Sequence, residues 1–240
     1  MSRSLAVFPL QPTTDTLDTT LGDNETMRRF LFGIGVSLAL LSCPASMHAQ
    51  FAGTGPRDGF IDTTILRPPA GSKVALIVFE DLGCPACARA HPLELDAIQQ
   101  THVPLLRYDF PLEAHVWTFE GAVCARYIQD KIDPKLADQF RSDVFASQDL
   151  ISNKDDIHAF MKEWLQKHGK QMPAAIDPDG SLAKRVAADR DLGRRLNVTF
   201  TPTVVVVTRD QYQVVCGTQQ GPNDPSKIVD VIRGAIAEAK

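Results

Sequence analysis

The chain has 240 residues, of which 44% are hydrophobic and 22% charged, the balance of a globular protein with one substantial core. Its formal charge of -4 at pH 7 and the lack of a basic patch with interleaved aromatics argue against a nucleic-acid partner.

The first 49 residues have the pattern of a leader. Residues 27–49 begin with two arginines, continue with an apolar stretch from Phe30 to Leu41 and end in small residues, as a secretory signal peptide does. The apolar stretch is shorter than the ~20 residues of a spanning helix, so we expect cleavage, with Ala49 as the last residue removed.

Residues 1–26 are acidic and rich in serine and threonine, so we expect the true start to be Met27. Two alternatives stay open for the apolar stretch. It could be a buried core helix, or Cys43 could be an acylated lipoprotein cysteine, although Leu41 and Pro44 fit that pattern poorly. The signal-peptide pattern predicts an exported protein, in the periplasm or elsewhere outside the cytoplasm.

Three strands and one helix are predicted next. Residues 60–66, "FIDTTIL", alternate in polarity and predict an edge strand. Residues 73–80 are a continuous apolar run, which predicts a central strand buried on both faces. Helical spacing of apolar residues predicts a helix over 85–100, and residues 103–110 predict a third strand.

Residues 112–177 show a helical pattern throughout. We predict helices over 113–131, 134–147 and 155–168, with Asn153 as the cap of the third. This stretch is therefore predicted to be an all-helical insertion.

The remaining residues return to a mixed pattern. We predict a helix over 181–196, two strands within 197–217 around the turn "RDQ", and a last helix over 225–239. Residues 50–111 and 178–240 then form one α/β domain. The helical insertion interrupts it between the third strand and the following core helix.

Cys84, Pro85, Ala86 and Cys87 place two thiols where a predicted strand gives way to a helix. A helix N-terminus offers free N–H groups and a partial positive charge, so it stabilises a thiolate at Cys84. Such a pair can exchange disulfides with a substrate. A zinc site with His91 is the alternative, but structural zinc usually takes four ligands, and Pro85 favours redox use, so we expect His91 to be a helix-surface residue.

Three stretches carry a family resemblance: "FEDLGCPAC" at residues 79–87, "FPLEAH" at residues 110–115, and Thr201-Pro202-Thr203 before a predicted strand. In these stretches the chain resembles the thioredoxin superfamily, and within it the DsbA-like exported thiol:disulfide oxidoreductases. The resemblance implies a thioredoxin fold in which Pro202 is cis and faces the cysteines. It also implies that the backbone of Thr201 pairs with a substrate strand.

The function implied by the resemblance is disulfide formation in reduced or unfolded secreted polypeptides, with no cofactor. It implies a membrane redox partner of the DsbB or VKOR type that reoxidises Cys84 and Cys87. Two other functions stay open: a disulfide reductase or isomerase, and a polypeptide-binding module whose cysteine pair is permanently bridged.

The chain departs from the family at two positions. Val78 stands where relatives often carry a buried carboxylate; Glu80 or Asp81 could substitute, but Asp81 could equally be a solvated or helix-capping acid. Ala86 stands where DsbA has a histidine. Because a cation there would stabilise the thiolate further, its absence predicts a less acidic Cys84 and a milder oxidant.

Cys124 and Cys216 could form a stabilising disulfide in an oxidising compartment, or could be two buried free thiols. Four further side chains could line a substrate groove, although their helical spacing favours the core: His115, Trp117, Phe119 and Trp164.

Overall fold

The computed structural model describes residues 60–217 and 223–239, so the predicted leader lies outside the described residues. The strands are β1 (Val74–Glu80), β2 (Leu105–Asp109), β3 (Thr203–Thr208) and β4 (Tyr212–Cys216). The helices are α1 (Pro85–Thr101), α2 (Thr118–Lys131), α3 (Pro134–Ala146), α4 (Lys154–Lys167), α5 (Ser181–Arg195) and α6 (Ile228–Glu238). Short 3₁₀ turns lie at Gln148–Leu150 and Pro225–Lys227. None of the described helices is long and apolar enough to cross a membrane.

The four strands form one mixed sheet in the order β2-β1-β3-β4. β1 pairs in parallel with β2 and antiparallel with β3, which in turn pairs antiparallel with β4. This sheet, with helices between its strands and after the last of them, confirms the predicted α/β thioredoxin-type fold.

β1 lies in the middle of the sheet and is buried along its whole length. Leu76 and Val78 contact the core that includes α6, while Ala75 and Ile77 face the core on the other side of the sheet. Burial on both faces explains why this strand is a continuous apolar run rather than an alternating one.

The edge strand predicted over residues 60–66 is wrong. These residues form turns, because the Asp62 carboxylate accepts hydrogen bonds from the backbone N–H and the hydroxyl of Thr64. A short acid followed two residues later by threonine stabilises a local turn in competition with strand pairing. The insertion therefore follows the second strand of the sheet rather than the third.

The predicted helices are confirmed with shifted ends. α2 begins at Thr118 rather than at residue 113, because the preceding residues form two successive turns. Asn153 caps α4 as predicted, accepting hydrogen bonds from the N–H groups of Asp155 and Asp156. The last helix opens with the 3₁₀ turn at Pro225–Lys227.

The insertion helices build a core of their own that reaches the cysteine pair. Trp117 and Trp164 are buried in it, so for these two the core interpretation is confirmed. Phe119 packs against a smaller cluster between α2 and α5. Cys124 belongs to the insertion core and Cys216 to the sheet core, and both thiols are free, so the structure contains no bridge between them.

Buried ion pairs join the insertion to the sheet. Arg141 of α3 is almost fully buried and contacts Glu80 at the end of β1 and Asp109 at the end of β2, each at 2.8 Å. Arg107 contacts Glu80 at 3.1 Å, and Arg126 of α2 contacts Asp109 at 2.5 Å. Each buried carboxylate thus meets two guanidinium groups, which offset the cost of removing it from water.

Candidate active site

The cysteine pair lies at the junction of β1 and α1. Cys84 is the N-cap residue of α1, with extended backbone angles, and Pro85 is the first helical residue. Proline suits this position because its missing N–H would have no helical partner there. Cys87 follows within the first turn, as the sequence predicts. The two residues are 8% and 2% exposed, so only Cys84 is accessible to a partner.

The two thiols differ sharply in acidity. The pKa of Cys84 is lowered to about 5, mainly by a hydrogen bond from Cys87 and further by Thr201 and the backbone N–H groups of Cys87 and Ala86, against an opposing effect of burial. Burial raises the pKa of Cys87 well above its ordinary value, and the charge on Cys84 raises it further. One sulfur is therefore a thiolate near neutral pH while its neighbour keeps its proton.

The Thr201–Pro202 peptide bond is cis, as the resemblance implies. The sulfur of Cys84 lies 3.2 Å from the carbonyl oxygen of Thr201, so this loop faces the cysteine pair. Thr203 begins β3, and its hydroxyl donates to the carbonyl oxygen of Phe200 at 2.8 Å, which closes the loop on itself. The fold thus brings the backbone of Thr201 against the sulfur of Cys84, although the two residues are 117 positions apart in sequence.

Asp81 is buried and is neither solvated nor the cap of α1. Its carboxylate accepts hydrogen bonds from the N–H groups of Gly83 and Leu112 and from Nδ1 of His115, at 2.7–2.8 Å. Its own N–H donates to the sulfur of Cys87 at 3.5 Å. Asp81 therefore joins the cysteine turn to the start of the insertion.

Neither acid near Val78 replaces the missing family carboxylate by direct contact. Val78 is fully buried, and Glu80 is engaged by Arg107 and Arg141. The charge of Glu80 still raises the pKa of Cys87, although it is the smallest of the effects on that thiol.

The insertion also contacts the cysteine turn through Gln148 and the residues around Gly83. The side-chain amide of Gln148 donates to the carbonyl oxygens of Leu82 and Cys84, at 2.6 and 3.1 Å. A Cβ at Gly83 would lie 2.6 Å from a methyl carbon of Thr118, so only glycine fits there. No local sequence pattern indicates Gln148, whereas His115 lies in the family-like stretch "FPLEAH".

His91 does not join the cysteines in a metal-binding group, and it is not the surface residue expected from the sequence. It is 3% exposed, its Nε2 lies 2.8 Å from the hydroxyl of Ser142, and its Nδ1 lies 4.0 Å from Glu80. Burial lowers the pKa of His91 to about 4, so the ring is neutral near pH 7.

A groove of about 410 Å³ runs beside the cysteine pair. Ala86 and Ala90 of α1 form one side, and Thr201, Pro202 and the half-exposed Phe200 form the other. Most of the lining area is apolar, and Arg89 is a charged member of the lining.

Comparisons with known proteins agree with this geometry. The family model for thioredoxin matches residues 64–230. The search of curated proteins gave no match. Among solved structures, a C97A/C146A variant of alpha-DsbA1 from Wolbachia pipientis superposes with a TM-score of 0.56 at 16% identity, covering 72% of this chain and 94% of that one. Reduced DsbA1 from Neisseria meningitidis gives 0.52 at 17% identity, with 71% and 87% covered. ScsC from Proteus mirabilis gives 0.52 at 18% identity, with 71% of each chain covered.

Proposed function

The chain belongs to the thioredoxin family, and we propose that it is an exported thiol:disulfide oxidoreductase that forms disulfide bonds in secreted polypeptides. One observation carries the proposal: the pKa of Cys84 is lowered to about 5 while that of Cys87 beside it is raised. A static structural disulfide needs no such difference, whereas an exchange catalyst needs one sulfur that attacks and departs easily.

The reaction begins with the Cys84–Cys87 disulfide. A substrate thiolate attacks the sulfur of Cys84, a mixed disulfide forms, and the electron pair of the broken bond goes to Cys87, which takes up a proton. A second substrate thiolate then attacks the substrate sulfur, and Cys84 departs as a thiolate. The substrate gains a disulfide, and two electrons pass to the protein.

The raised pKa of Cys87 favours the forward reaction. A protonated thiol is a poor nucleophile, so in the mixed disulfide Cys87 seldom attacks Cys84 to expel the substrate unoxidised. The second substrate thiol can therefore attack the mixed disulfide before Cys87 does. In the reduced product, the hydrogen bond from Cys87 stabilises the departed Cys84 thiolate.

The substrate is proposed to be an extended, unfolded polypeptide. The groove beside the cis peptide is apolar, and the backbone of Thr201 lies against Cys84, where a bound strand would bring its cysteine. Backbone pairing recognises any sequence, and the apolar lining favours unfolded chains that expose apolar side chains.

Oxidation of substrates is the proposed direction. A stabilised thiolate favours the reduced protein and so makes its disulfide oxidising. A pKa of about 5 for Cys84 lies between the reference values of about 7 for thioredoxin and about 3.5 for DsbA. We therefore expect a reduction potential between about -270 and -120 mV, and a membrane partner of the DsbB or VKOR type that reoxidises the pair.

The test is the oxidation of a reduced, unfolded disulfide protein by the wild type and by Cys84→Ser, together with the reduction potential. The wild type should raise the rate well above that of the oxidant alone, and Cys84→Ser should not. Equal activity of the two would indicate a binding module. A potential below that of thioredoxin would indicate a reductase.

A further inference from the structure

A second group of reactive side chains lies in the insertion, away from the cysteine pair. Glu120 and Cys124 are one turn apart on α2, and His158 lies opposite them on α4. One ligand atom from each, a carboxylate oxygen, a thiol sulfur and a ring nitrogen, lies within 4.8 Å of the other two. The proposed exchange reaction uses none of these residues.

We propose that Glu120, Cys124 and His158 bind a zinc-class divalent cation. Thiolate, imidazole and carboxylate are the three ligand types that Zn²⁺ takes in proteins, with bond lengths of about 2.0 to 2.3 Å. Ca²⁺ and Mg²⁺ prefer oxygen ligands alone, so the sulfur of Cys124 excludes them.

The geometry allows the cation to enter with small side-chain movements. Nε2 of His158 and a carboxylate oxygen of Glu120 are 2.7 Å apart, and would separate by less than about 1 Å to take tetrahedral positions around one ion. The side chains of His158 and Glu120 are 40% and 23% exposed, so both can rotate. Cys124 is fully buried beneath them and fixes the third ligand position.

A pocket gives the cation access and leaves room for a fourth ligand. It has a volume of about 470 Å³, and Glu120 and His158 form part of its wall. The loop of residues 172–177 also lines this pocket, whereas the fully buried Cys124 does not. Three protein ligands and one open position are typical of zinc sites that bind water or a small molecule as the fourth ligand.

A second group of metal-ligating side chains among the described residues, Glu80, His91 and Glu94, does not offer such a site. Glu80 already pairs with Arg107 and Arg141. These two guanidinium groups supply the positive charge that a metal ion would bring, so a further cation would be repelled. Within residues 60–217 and 223–239, no arginine or lysine forms an ion pair with the group in the insertion.

Binding replaces the proton of the Cys124 thiol by the metal ion, and that proton leaves to solvent. The bound ion would add a link between α2 and α4, which already pack together in the insertion core and share the hydrogen bond between Glu120 and His158. Metal that binds only the folded protein must raise its melting temperature.

The experiment uses the full chain with Cys43, Cys84 and Cys87 replaced by alanine, which leaves Cys124 and Cys216 as its two thiols. Co²⁺ serves as the probe, because a thiolate ligand gives it a near-ultraviolet charge-transfer absorption, and Zn²⁺ is then added in competition. This protein cannot catalyse exchange, so the result is independent of the proposed function.

We expect one equivalent of Co²⁺ to give the thiolate absorption, and Zn²⁺ to displace it and to raise the melting temperature. Cys124→Ala should abolish the absorption, whereas Cys216→Ala, which removes the other buried thiol, should keep it. His158→Asn changes a half-exposed side chain, so it should fold, and it should weaken binding more than about 100-fold, beyond the effect of losing a supporting residue.

Three outcomes would overturn the proposal. They are no thiolate absorption in the parent protein, an absorption that persists in Cys124→Ala, and equal affinity in the parent and His158→Asn. In any of these cases Glu120 and His158 form an ordinary hydrogen bond and Cys124 is a core residue.

Discussion

The hydrogen bond from Cys87 is the largest cause of the low pKa of Cys84, and two substitutions can isolate it. Cys87→Ala removes the donor. Cys87→Ser keeps a hydroxyl donor in a side chain of nearly the same size and serves as the matched control. Both variants leave one active-site thiol, so each titration reports Cys84 alone in that site.

The expected change in the pKa of Cys84 is large. With a pKa of about 5 rather than 9.0, Cys84 at pH 7 is about 99% thiolate rather than about 1%. Cys87→Ala should raise the pKa by more than one unit. It should stay below 9.0, because Thr201 and the N–H groups of residues 86 and 87 still stabilise the anion. Cys87→Ser should remain closer to the wild type.

The assay is the pH dependence of thiolate absorbance in the far ultraviolet, checked by the rate of alkylation of Cys84. The pKa should increase in the order wild type, Cys87→Ser, Cys87→Ala. If Cys87→Ala titrates within about half a unit of the wild type, the hydrogen bond is not the main cause, and the helix N-terminus must supply the effect instead.

Three further predictions concern stability, measured by equilibrium unfolding. Gly193→Ala should cost about 1–3 kcal/mol, because a Cβ there would lie 2.5 Å from the ring of Phe110, whereas Gly234→Ala, with nothing within 4 Å, should be neutral or slightly stabilising. Gln148→Leu should cost about 1–3 kcal/mol by leaving the carbonyl oxygen of Leu82 without its donor, whereas that of Cys84 keeps the N–H of Ala88. In the reduced protein, the stability that Cys84 contributes should be complete above pH 9 and disappear as the pH falls through about 5, since the folded state lowers its pKa; Cys84→Ala should lack this dependence between pH 5 and 9.

Much of the fold and the centre of the site could be predicted from local patterns. Helical periodicity predicted α1 and the insertion helices, a continuous apolar run predicted β1, and the spacing of Cys84 and Cys87 with Pro85 predicted a cysteine pair at the start of α1. These features are encoded in neighbouring residues, so the sequence alone shows them. The cis bond before Pro202 came from the family resemblance, since the sequence itself does not distinguish cis from trans.

The sequence predictions were wrong or incomplete where contacts between distant residues or competing turns determine the structure. Asp62 and Thr64 form a turn where the alternating pattern predicts a strand. His91 lies on a face of α1 that other parts of the chain cover. There it contacts Glu80 and, 51 residues away in sequence, Ser142. Gln148 contacts the cysteine turn across 64 residues, and no local pattern indicates such a contact.

Arg141 makes the insertion and the sheet interdependent during evolution. Its guanidinium neutralises Glu80 and Asp109 at the ends of two adjacent strands, although it is encoded within the insertion itself. A chimera that receives a different insertion without an equivalent arginine would bury two carboxylates with fewer counter-charges. Exchanging this segment therefore requires matching changes at those two strand ends, so the insertion is not a freely transferable module.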